Sequence, residues 1–239
     1  MRPNEPHFSC SVVSGPSSAA ALARVRWQSH DVPFREQAEQ VLRDVLHELG
    51  LGGIVHEVHV FVDLGNRDDH AYIEWNTNDH RVVRLFFAVG NFVTRDRRRA
   101  WARTWGRRAG LPPLTRRHFS RISFAEACLH EFLHLRDDHD AGVDLSGHSE
   151  ADREGLNELW NVWIDGRLNR RGLPAMSRAE RRRIYRRTLG ALARFASHGD
   201  RVFQALWTAD HLGPRELFAY LRELGADPAA RPRRRRGGP

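Results

Sequence analysis

The stretch that most constrains this chain runs from Cys128 to Asp140, where His130-Glu131-Phe-Leu-His134 sets polar residues into an otherwise apolar helical pattern. Positions i and i+4 share one face of a helix, so His130 and His134 can reach a single metal ion. Glu131 lies about 100° further round, where it can touch a metal-bound water without being a ligand. Zinc is the ion expected, because it lowers the pKa of such a water toward ~7 and a neighbouring carboxylate can then take up and return the proton. Helix histidines are more often plain core or surface residues, so the surroundings decide. Ile122, Phe124, Ala125, Leu129, Phe132, Leu133 and Leu135 supply an apolar wall. Ser123-x-x-Glu126 is a capping-box pattern that would start a helix near 122 and carry it to about 137.

A catalytic zinc takes three protein ligands and keeps the fourth place for water. Several residues compete for the third place. His139 would lie just past the helix end and fold back. Asp140 holds the last position of an H-E-x-x-H-x-x-G-x-x-H/D pattern, but Asp137 stands where that pattern needs glycine. His148 follows in Ser146-Gly147-His148, and Glu154 and Asp165 lie on the next long helix, expected over 150–169. That helix carries a polar stripe, Glu154, Glu158, Asn161, Asp165 and Asn169, through a segment flanked by Trp160, Trp163 and Ile164. A stripe facing two histidines could ligate metal and also orient the imidazoles; the plainer reading is a solvated face whose first acids suit the helix dipole. Cys128 points to a different face and is not expected to ligate.

Around this pair of helices the pattern predicts a helix over 34–49, a strand over 54–64, and two strands over 71–75 and 81–89 joined through Asn76-Thr-Asn78-Asp79. A basic helix is expected at 94–109. After Gly172-Leu-Pro174, a helix capped by Ser177-x-x-Glu180 should run to about 197, followed by helices near 200–208 and 214–224. Residues 1–33 read as a flexible leader, 34–225 as one domain, and 226–239, ending in four arginines, as a basic disordered tail. The fold class expected is α+β, with a small, mainly antiparallel sheet placed before the H-E-x-x-H helix, as in a zincin-like domain. Its edge strand would border a cleft that accepts an extended peptide.

Composition excludes some classes. No run approaches the ~20 apolar residues of a membrane span. The first 23 residues do not make a secretory signal, and Cys10 and Cys128 are the only cysteines, so a reducing, cytoplasmic location is expected. The net charge is +8 and all 38 basic residues are arginine. That is partly the mark of a GC-rich genome, and partly a surface that would favour polyanions, including weak nucleic-acid contact.

His130-Glu131-x-x-His134-x-x-x-x-His139, followed by Trp160-Asn161-x-x-x-Asp165-x-x-Leu168-Asn169, resembles the bacterial metallopeptidase domain often joined to a von Willebrand A-like domain. The resemblance covers about residues 122–174, with Trp163 and Leu168 departing from the usual second motif. It implies a zincin-like fold, zinc held by His130 and His134, Glu131 as catalytic base and Asp165 as third ligand; it does not supply a substrate, and a protein or peptide is the expectation from the metal-activated-water chemistry itself. H-E-x-x-H with Ser146-Gly147-His148 is more loosely similar to SprT/Spartan-like proteases, which would make His148 the third ligand and DNA-associated protein the substrate. Ser149 stands where those proteases have glycine, and zinc-ribbon cysteines are missing. A metal-stabilised binding module without hydrolysis is the non-enzyme alternative.

Overall fold

The computed structural model describes residues 23–29, 32–66, 70–76, 79–104, 115–142 and 149–225. Among them lie four strands, β1 (Arg24–Trp27), β2 (Glu57–Asp63), β3 (Ala71–Asn76) and β4 (Asp79–Ala88). Seven helices complete the list, α1 (Arg35–Glu48), α2 (Arg95–Thr104), α3 (Arg121–Ala141), α4 (Glu150–Arg170), α5 (Arg178–Leu189), α6 (Phe195–Thr208) and α7 (Pro214–Glu223). The protein is α+β.

The sheet corrects the expectation of a mainly antiparallel one. Its order is β1-β2-β4-β3; β1 and β4 both run parallel to β2, and only β3 pairs antiparallel with β4. Two causes combine. The segment read as leader contains β1, whose Trp27 is buried, and α1 carries the chain from β1 back to a parallel β2. The β3–β4 hairpin then docks through β4, not β3, which leaves β3 at the edge. Every second residue of β2 and β4, among them Val58, Val60, Val83, Leu85 and Phe87, is buried in one core with Val41, Leu42 and Val45 of α1 and Phe124, Cys128, Phe132 and Leu135 of α3.

α3 starts at Arg121, close to the expected 122, but its cap is Ser120, one turn before the Ser123 of the expected capping box. The Ser120 side chain accepts the backbone N–H of Ser123, and the helix runs on to Gly142, whose φ of 62° closes it in the left-handed region open to glycine. Ser149 and Ser177 cap α4 and α5 as their sequence patterns predict. α5 stops at Leu189, short of the expected 197, and α6 begins separately at Phe195. α4 is the central helix of the C-terminal half, touching α3, α5, α6 and α7. At Gly166 an added Cβ would come within 2.4 Å of the Trp207 carbonyl oxygen, so only glycine lets α6 approach this closely. No described helix is long and apolar enough to cross a membrane. The basic helix α2 is described to Thr104; its expected remainder and the basic tail lie outside the described residues.

Candidate metal centre

The polar faces of α3 and α4 meet beneath β3 at the floor of a cleft of about 1250 Å³. Helical spacing puts His130 and His134 one turn apart, and their rings stand edge to face with centroids 5.1 Å apart. Both Nε2 atoms lie 2.9 Å from a single atom, the Asn161 side-chain oxygen. The two imidazoles therefore converge on one point. Trp160 closes the far side, its ring 4.5 Å from that of His134.

Asp165, one turn beyond Asn161, stands behind His130. Its Oδ1 accepts from His130 Nδ1 at 3.1 Å, and its Oδ2 accepts from Arg181 Nε at 2.6 Å. Arg181, from α5, also reaches Glu158 at 3.5 Å. Asp165, Arg181 and Glu158 are all buried. Burial alone would raise the Asp165 carboxyl, but His130 and Arg181 together hold it below the ordinary value. Burial likewise opposes charge on His130, yet Asp165 outweighs it and holds that imidazole above its usual value, while burial and the charge of His130 push His134 well below. Of the two rings, His130 therefore takes up a second proton more readily than His134.

Glu131 differs from Asp137, Asp138 and Asp165, whose oxygens are held by close donors. It is 9% exposed, it opens on the cleft, and it accepts no hydrogen bond from any described residue. Burial raises its pKa to about 7, against the pull of His130 and Arg181. Six residues on, Asp137 has both oxygens occupied: Trp160 Nε1 donates at 2.7 Å and Arg167 donates twice, at 2.8 and 2.5 Å. Asp138 clamps the sheet to α3, accepting from Trp75 Nε1 at 2.5 Å and His80 Nε2 at 2.9 Å. That clamp sits one turn beyond His134 and fixes edge strand β3 along the cleft, which is lined by residues 70–75.

The candidates for a third ligand separate clearly. Asp165 reaches the site, but at the Nδ1 side of His130, with both oxygens engaged. His139 is nine residues from His130, half a turn out of phase. Because α3 continues to Ala141, it stays exposed, bonds Asp140, and packs against His80. Glu154 is exposed on α4, about two turns before Asn161. His148 lies outside the described residues. Cys128 is buried with its thiol pushed well up by burial, consistent with a core role. Among the described residues no third His, Cys, Asp or Glu joins a metal-holding group. The donor chemistry fits a zinc-type ion at His130 and His134, with the Asn161 oxygen the closest neutral donor.

Two parts of this site were not singled out from sequence. Asn161 was one member of the α4 stripe, and only the fold shows that it meets both imidazoles. Arg181 belongs to a run of arginines, Arg181-Arg182-Arg183, with no local signal separating the buried one from its half-buried and exposed neighbours. Compared with protein-family models, with curated proteins and with solved structures, the chain matches none.

Proposed function

We propose that this chain is a zinc-dependent, zincin-like peptide hydrolase with Glu131 as its general base. One observation carries the reading. A buried carboxylate without a hydrogen-bond donor among the described residues opens on a cleft beside two histidines whose Nε2 atoms converge on one point. A structural carboxylate in that position would be expected to have found partners, as Asp137 has. A zinc ion held by His130 and His134 would polarise the substrate carbonyl and acidify the attacking water.

The chain's own groups do the rest. Glu131 would accept a proton from water at its carboxylate and pass it to the departing amine; burial raises its pKa to about 7 in the metal-free site, and a bound cation would draw it back down. Asp165 fixes the His130 ring through Nδ1 and strengthens its Nε2 as a donor. The free edge of β3 offers backbone groups to an extended peptide, which could add as a fifth strand. The resemblance to bacterial metallopeptidases agrees with the roles of His130, His134 and Glu131 and differs at Asp165, which it would make a ligand. The SprT-like variant depends on His148, and no described observation favours it.

The test is Glu131→Gln against wild type on a fluorogenic peptide pool, with metal content measured in parallel. The reading expects zinc retained and turnover lost by at least ~100-fold. Equal turnover in the two proteins sinks it.

A further inference from the structure

We propose that the end of the cleft marked by Arg153 and Arg187 is a subsite for a carboxylate on the bound peptide, so that the protein selects acidic peptides. This rests on the peptide-hydrolase reading and extends it to substrate class. Both arginines line the same cleft as His130 and Glu131. The Asp165–Arg181 pair joins the later part of α4 to the start of α5. At the other end a Cβ on Gly155 would lie 3.7 Å from Leu189 at the close of α5. α4 and α5 are therefore antiparallel, and Arg153 and Arg187 occupy the same end of the pair.

Their electrostatic state differs from that of the other cleft arginine on these helices. Arg181 is buried between two carboxylates. Arg153 and Arg187 are exposed, and neither has a hydrogen-bond or ion-pair partner among the described residues. The acids beside Arg153 in sequence, Asp152 and Glu154, project about 100° to either side of it. On the facing wall, Glu74 of β3 is 3.9 Å from Arg84, and its charge is partly answered there. Glu150, one turn before Arg153 on α4, makes no ion pair with it, so among the described residues this end of the cleft holds two cations that no carboxylate engages.

The spacing sets where on the peptide an acid would sit. Arg153 precedes Asn161 by eight residues and Arg187 follows Arg181 by six, about 12 and 9 Å at 1.5 Å per helical residue. An extended peptide advances about 3.3 Å per residue, so the acid falls three to four residues from the bond held over His130 and His134. Uncharged Asn157 and Ile184 line the stretch between. Planar guanidinium groups suit a carboxylate with paired N–H donors.

The test uses the full chain carrying Glu131→Gln, so that binding is read without turnover, and three fluorescein-labelled decapeptides that differ only in a central pair of residues, Glu, Gln or Lys. Fluorescence anisotropy should show the Glu peptide bound about tenfold tighter than the Gln peptide, with the Lys peptide weakest. In Arg153→Gln/Arg187→Gln, checked by an unchanged melting temperature, the preference for Glu should fall below about twofold. Equal binding of all three peptides, no measurable binding of any, or a Glu preference that survives the double substitution overturns the proposal. So does a labelled single-stranded oligonucleotide held through the same pair more tightly than the Glu peptide. If wild type cleaves none of the peptides while the arginine-dependent Glu preference stands, the hydrolase reading falls and the carboxylate subsite remains.

Discussion

Two buried carboxylates on α3, six residues apart, have opposite surroundings. Asp137 is bound by an indole N–H and a two-pronged guanidinium. Glu131 is buried to a similar degree and has no donor among the described residues, only a cleft in front of it and two histidines beside it. Folding alone favours the first arrangement, because a buried charge without partners costs stability. The second persists where the group has work to do on something that arrives from outside. The same helix therefore carries one acid that is tied into the contact with α4 and one that opens on the cleft.

The comparison can be broken or sharpened in four ways. The largest effect should come from Glu131→Gln, a fall in peptide turnover of about 10²–10⁴-fold with the fold intact. Asp137→Ala should leave the Arg167 charge and the Trp160 N–H without a partner. It should destabilise the protein by about 3–5 kcal/mol in denaturant unfolding, and little change there would erase the contrast between the two acids.

The third concerns pH. The folded pKa of Glu131 is raised to about 7 from an ordinary value of 4.5. The associated stability is present in full below pH 4.5 and is lost as pH rises through 7. In metal-free protein, Glu131→Gln should therefore match wild type near pH 4.5 and exceed it at pH 8, by up to about 3 kcal/mol. Glu158, also raised to about 7 by burial, is common to both proteins and cancels in the difference. Parallel stability curves for the two proteins would show that burial does not act on Glu131 as described.

The smallest effect is expected from Asp165→Asn, a 10–100-fold loss of zinc affinity measured against a competing chelator. Unchanged affinity would remove Asp165 from the site's support. Complete loss of zinc would make it a ligand, as the family resemblance implies.

Much of the candidate site was legible because helical period is a local property. The i, i+4 histidines and the i, i+3, i+4 stripe on α4 each define one face, and α3 and α4 bring the later part of that stripe, Glu158 to Asp165, to the histidines. The reading failed where the outcome depends on tertiary structure. β1 is four residues long and lies inside the segment read as leader. The parallel pairing of β2 with β4 depends on which hairpin strand docks, and alternation in sequence does not encode that. His139 could be placed near the metal only if α3 ended early; the helix continues and turns it away. Arg181 is buried because α5 lies against α4, which nothing within its own run of arginines announces.

The central claim is that His130 and His134 form one metal site with Glu131 at its edge. Elemental analysis of purified wild type, His134→Ala and Glu131→Gln tests it most directly. The account predicts one zinc per chain in wild type and in Glu131→Gln, and none in His134→Ala. Wild type that holds no metal after zinc is supplied, or His134→Ala that keeps its zinc, would contradict it.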